Sequence, residues 1–135
     1  MSIDELHQCY ELAASEARTK DSYVYFEPAF VAVVEMASRN QQLLEALEIR
    51  LIEDVLTPPA NWELVAFCAH ALRPPGLRTM VASLIETTPV RDDIRHAEFR
   101  DILGAFDDEW ADRDMYATFS AGSRHGGGPG GSEKG

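Results

Sequence analysis

Chemically active side chains are densest in Asp107-Asp108-Glu109-Trp110-Ala111-Asp112-Arg113-Asp114, where five carboxylates and one arginine fall within eight residues. Hard cations favour oxygen-rich clusters of this kind, yet the Asp-x-Asp-x-Asp-Gly order of an EF-hand loop is absent. Such a run is otherwise a solvated acidic face or a patch that receives a basic partner. On the second reading Asp107, Asp108, Glu109, Asp112 and Asp114 are the contact residues. Softer metals fare no better. His7-Gln8-Cys9 and Cys68-Ala69-His70 pair the right ligand types, but a two-residue offset on a helix turns them to nearly opposite faces. Neither His-Glu-x-x-His nor Glu-x-x-His occurs. No metal is expected.

His70 stands out singly. Ala66, Phe67, Ala69 and Ala71 surround it, so the imidazole is expected in or beside a packed surface. A backbone carbonyl or a glutamate would satisfy it there. The alternative is a pocket in which Arg73 and Arg78 serve as anion-binding neighbours. His7 and His96 read as ordinary surface positions. Tyr10, Tyr23, Tyr25, Trp62, Trp110 and Tyr116 could anchor an interface or close a core. No phosphate-cradling glycine loop is present, because the glycine-rich C-terminal stretch has neither a strand nor Lys-Ser/Thr beside it. No cofactor is expected.

The charge balance narrows the partners. Twelve Lys and Arg stand against 23 Asp and Glu over 135 residues, a net −11 at pH 7. Such a surface repels phosphate backbones and anionic lipid, so neither nucleic acid nor membrane is an expected partner. With 45% hydrophobic and 26% charged residues the composition is globular and of one-domain length. Apolar runs at residues 29–34 and 64–69 are far below the roughly 20 residues of a membrane span. The acidic N-terminus lacks the apolar core of a signal peptide. Cys9 and Cys68 lie in apolar helical patterns as reduced thiols. A soluble cytoplasmic protein is the expectation.

These residues need elements to position them, and the pattern is helical almost throughout. Ser2-Ile3-Asp4-Glu5 is a capping box, followed by an apolar face on Ile3, Leu6, Tyr10, Ala13 and Ala17. Tyr23-Val24-Tyr25-Phe26 reads as a short extended segment. A second helix is predicted from near Pro28, breaking at Asn40. A third carries Leu43, Leu44, Leu47, Leu51, Ile52 and Val55. Asn61 caps a fourth, and Pro74-Pro75-Gly76 forces a corner. Leu77, Met80, Val81, Leu84 and Ile85 form the cleanest amphipathic stripe. Thr88-Pro89 opens a last helix, predicted on Val90, Ile94, Ala97, Phe99, Ile102, Leu103, Phe106 and Trp110, with Gly104 at a close helix crossing. The fold class is all-α with about six helices and no strand, in one domain over residues 1–120. Residues 121–135 are glycine-rich, lack large apolar side chains and read as a disordered tail.

A shift of 34 residues lays the second helical pair on the first. Phe30-Val31-Ala32-Val33-Val34 falls on Leu64-Val65-Ala66-Phe67-Cys68, and Leu43, Leu47 and Leu51 fall on Leu77, Val81 and Ile85. A stack of antiparallel hairpins and a compact irregular bundle both accommodate this. The stretch from Trp62 to Arg73 with Leu77-Arg78, and Ile102-Leu103-Gly104-Ala105-Phe106-Asp107-Asp108-Glu109-Trp110, resembles the small HEAT-like α-helical repeat proteins of bacteria. That resemblance implies a scaffold that presents surfaces to other proteins, and it carries no active site. The leading expectation is a non-catalytic acidic scaffold for a basic protein partner, of the immunity or antitoxin kind. An enzyme or small-molecule binder around His70, Arg73 and Arg78, or an adaptor subunit of a larger assembly, are the alternatives. Deleting residues 121–135 is expected to leave the melting temperature within about a degree or two, because that stretch has little to bury. A calorimetric scan of the full-length and shortened chains checks it.

Overall fold

Helix starts are written into this chain by short polar side chains. The computed structural model describes residues 2–20, 22–57, 60–89 and 91–119. Ser2 caps α1 (Ile3–Thr19), with the reciprocal Glu5 bond of a full capping box. Ser22 caps α2 (Tyr23–Ala37), Asn40 caps α3 (Gln41–Leu56), and Asn61 caps α4 (Trp62–Leu72). Each side-chain oxygen accepts from a first-turn N–H that the helix leaves unpaired. After α5 (Pro75–Thr87) and α6 (Asp93–Gly104), a run of turns with one 3₁₀ turn at Arg113–Met115 completes the described chain. The fold is all-α, with no strand among the described residues.

Odd-numbered helices lie side by side, α1 on α3 and α3 on α5, and even-numbered ones do the same, α2 on α4 and α4 on α6. The core fills the space between them. The i, i+4 stripe Leu43, Leu47, Leu51 and Val55 is buried as its spacing predicts. So are Leu6, Tyr10 and Ala13 of α1, although Ile3 at the head of that stripe is exposed. Helix α4 is buried from Leu64 through His70. It is the central helix, touching α1, α2, α3 and α6.

Helix α5 starts differently. Pro74 at its N-cap has no side chain to cap with, and Glu48 of α3 takes the task instead. One oxygen, Oε2, accepts from Gly76 N at 2.6 Å and Leu77 N at 3.2 Å. A β-carbon on Gly76 would sit 2.7 Å from that oxygen, so the bond needs glycine there.

Four expectations are corrected. Tyr23-Val24-Tyr25-Phe26 is the first turn of α2, not an extended segment. Ser22 caps it, and burial of Phe26 and Phe30 outweighs the local β preference of that run. Pro28 therefore sits inside α2 rather than at its start, which removes one bond to the Val24 carbonyl; Val24 is exposed, so water can serve that carbonyl. The last helix opens at Asp93 behind Asp92, not at Thr88-Pro89. Ile94, at 75% exposure, and Ala97 consequently face solvent. That helix ends at Gly104 rather than running to Trp110, and a β-carbon on Gly104 would meet only the Trp110 ring, at an ordinary 3.9 Å. The glycine-rich stretch 121–135 lies outside the described residues.

Val81 is fully buried in α5, beside fully buried Leu77. Val81→Asp places an unpaired charge there, a penalty of several kcal/mol against a total of roughly 5–15 kcal/mol. Loss of the cooperative thermal transition is the expected outcome, measured by circular dichroism.

Candidate functional site

The acidic turn is built on the end of α4. Arg73, its C-cap, has φ 53°, the one left-handed non-glycine residue among those described. Pro74 disfavours right-handed helix at that position, and the left-handed backbone costs an arginine about 1–2 kcal/mol. The guanidinium offsets this with three bonds. Nε donates to the His70 carbonyl at 2.9 Å, Nη1 to the Phe106 carbonyl at 2.8 Å, and Nη2 to Asp108 Oδ1 at 2.9 Å. The Ala105 carbonyl is claimed as well, by His70 Nδ1 at 2.8 Å. With both carbonyls turned toward α4, the chain leaves helical geometry after Gly104. Asp107 Oδ1 then accepts from Glu109 N at 3.1 Å, closing a tight turn.

The five carboxylates part company on this turn. Asp107, Asp108, Glu109 and Asp114 are exposed, and Asp112 is half-buried. Asp108 pairs with Arg73. The side chains of Glu109, Asp112 and Asp114 have no hydrogen bond or ion pair among the described residues. Asp112 stands near Asp101, whose carboxyl is pushed upward first by its own burial and then by the Asp112 charge. Asp101 is not among the site residues the sequence points to, because as part of α6 it reads only as a polar helix position. Among the described residues, no group of three or more His, Cys, Asp and Glu is arranged to hold a metal ion.

His70 is enclosed, at 6% exposure. Its ring packs against Trp110 and Phe119, with centroids 5.1 and 4.6 Å away. Nδ1 faces a carbonyl and so carries the proton, which leaves Nε2 to accept from Arg113 Nε at 3.5 Å. Arg73 and Arg78 line a separate shallow hollow with Leu103, Phe106, Asp107 and Asp108. The three residues of the expected pocket are thus near neighbours in the fold, but the imidazole is turned into packing while the two arginines face an acidic rim. His96 is buried rather than exposed, its Nε2 bonded to the Thr88 carbonyl at 2.9 Å. His7 is half-buried, with Nδ1 3.0 Å from Arg50.

A second concavity has no counterpart in the sequence pattern. A hollow of about 440 Å³ lies between α1, α3 and the start of α4, floored by Tyr10 and Asp54 and edged by Arg50 and Asn61. Those residues are scattered over some fifty positions, and each looks like one more member of a helix face or cap. The chain matches no family model, no curated protein and no solved structure.

Burial, the main cause, with the Arg73 and Arg113 charges beside it, holds His70 below its ordinary 6.5, against the pull of the Ala105 carbonyl toward the protonated ring. The unfolded chain therefore takes up this proton first. Stability from this residue is complete above about pH 6.5 and falls as pH drops below it toward the folded value. His70→Asn keeps a donor for Ala105 but cannot titrate. Its melting temperature is expected to be lower than wild type at pH 7.5 and to decline less steeply between pH 7 and 5, which paired thermal melts measure.

Proposed function

We propose that this protein is a non-catalytic acidic helical scaffold that binds a basic protein partner through the turn at residues 107–114, in the manner of an immunity or antitoxin protein. One observation carries the reading. The carboxylates are displayed on a turn whose backbone is pinned by Arg73, with Trp110 buried beneath it, so the points from which their side chains extend are fixed before any partner arrives. Preorganised charge of one sign accelerates encounter with the opposite sign and rejects wrong partners. The excess of acidic residues over the whole chain acts in the same direction.

Two further features support it. The side-by-side ordering of odd and even helices is compatible with a HEAT-like scaffold, a class that presents surface rather than chemistry. Cys9 and Cys68 are free, which suits the reducing cytoplasm where such a protein would work. Among the described residues, no helix is long and apolar enough to cross a membrane.

The test exchanges Asp107, Asp108 and Asp112 for Asn and Glu109 for Gln together. Asn retains the oxygen that accepts from Glu109 N and the one facing Arg73, so the turn is expected to keep its shape. Association with a basic partner captured from the native host is expected to slow by about ten-fold or more at low salt. The wild-type advantage should shrink toward 1 M salt, where the Debye length is about 3 Å. Equal rates at low salt would place the binding surface elsewhere.

A further inference from the structure

The hollow between α1 and α3 has a defined floor. The Tyr10 hydroxyl donates to Asp54 Oδ2 at 2.6 Å. Tyr10 is 1% exposed and cannot swing away. Burial, reinforced by the Asp54 charge, holds its hydroxyl far above the usual phenol range, so it stays a donor. Asp54 is thereby a carboxylate fixed in position, and its other oxygen accepts nothing from the described residues. Ala14 and Ala17 of α1 supply the space, where larger side chains would fill it. A cleft of this volume lies within the range of small-ligand sites.

Its charges are unbalanced in one direction. Arg50 is already matched by Glu11, and its guanidinium lies 4.6 Å above the Tyr10 ring. That leaves Glu53, Asp54 and Glu63 facing Arg18 alone. Glu53, Glu63 and Arg18 have no hydrogen bond or ion pair among the described residues. A fixed carboxylate with one oxygen uncommitted, in a cleft with further anionic charge at the rim, favours a cation with N–H donors. Arg50 already covers the Tyr10 ring, so an incoming cation meets the carboxylates of the cleft rather than the aromatic face.

We propose that this cleft binds a single organic cation, a guanidinium or primary ammonium head group that donates to Asp54 and Glu53. The head group could belong to a free small amine or guanidine, or to a basic side chain of a peptide. The site is separate from the turn at residues 107–114 and does not depend on it.

The test titrates the full chain at low salt with butylguanidinium as the free cation and with acetyl-Gly-Arg-Gly-amide as the side-chain source, following backbone amide shifts by NMR. Saturable shifts confined to α1, α3 and the start of α4 are expected. The double variant Glu53→Gln, Asp54→Asn should weaken binding roughly ten-fold or more, the loss expected for a charge-assisted bond. The amide oxygen introduced by Asp54→Asn can still accept from Tyr10; should that variant nonetheless unfold, Ala17→Leu fills the cleft with every charge intact and should abolish the shifts. The variant neutralised at Asp107, Asp108, Glu109 and Asp112 should bind both probes as wild type does, which keeps this result independent of the proposed partner surface. Tighter binding of the peptide assigns the side-chain source, and tighter binding of butylguanidinium the free cation. No saturation by either probe up to about 10 mM, shifts that persist in the double variant, or shifts located at residues 107–114 would each overturn the proposal.

Discussion

The guanidinium of Arg73 is the joint on which residues 105–119 hang. One side chain closes the end of α4, captures the Phe106 carbonyl and pairs with Asp108. It does so from a backbone conformation that glycine would adopt more cheaply. Glycine would hold the corner and lose the joint. With His70 it sets the exit from α6, and between there and Phe119 the chain brings Trp110, Tyr116 and Phe119 against the aromatic face of α2 and α4. Glu27 of α2 secures the far side of that segment by accepting from Ala117 N and Thr118 N.

Charge is distributed in keeping with this. The carboxylates that hold structure are committed to specific donors: Glu48 to α5, Glu27 to residues 117–118, Asp54 to Tyr10. Those at Glu109, Asp112 and Asp114, and at Glu53 and Glu63, carry no such bonds among the described residues. Clustered like charges without partners raise the energy of the folded state. Their concentration at two places is a cost that the proposed binding of a basic partner would offset.

Much of the architecture is legible in the residues. Ser2 and Asn61 announce helix starts because their short side chains reach a neighbouring N–H, an effect local to three or four residues, and Asn40, legible as a break, proves to be a cap of the same kind. The stripe from Leu43 to Val55 shows its buried face by spacing alone. Some misread positions turn on local signals passed over, such as the caps Ser22 and Asp92, and others on partners far away in the chain. Tyr23 is helical partly because it packs on Tyr116 at 5.0 Å. Residues 105–110 leave the helix because side chains more than thirty positions earlier claim their carbonyls. His96 is buried by a carbonyl of the turn before its own helix. The acidic turn is visible as composition and the anchoring role of Arg73 is not; the cleft at Tyr10 and Asp54 leaves no mark, since no spacing rule links positions 10 and 61 to the i, i+4 pair 50 and 54.

Helix α5 has a consequence for how the chain reaches this state. Its N-terminal amides are capped by Glu48, a residue of another helix, while Pro74 offers nothing in cis. A nascent α5 has Pro75 to pre-set its first turn but lacks the side-chain cap that α1, α2, α3 and α4 each carry in their own sequence. Its N-terminal amides gain their cap only once α3 has formed and docked, which couples the two helices. In a chain emerging from the ribosome, α3 is complete before α5 is synthesised, so the order of synthesis delivers the cap ahead of the helix that needs it.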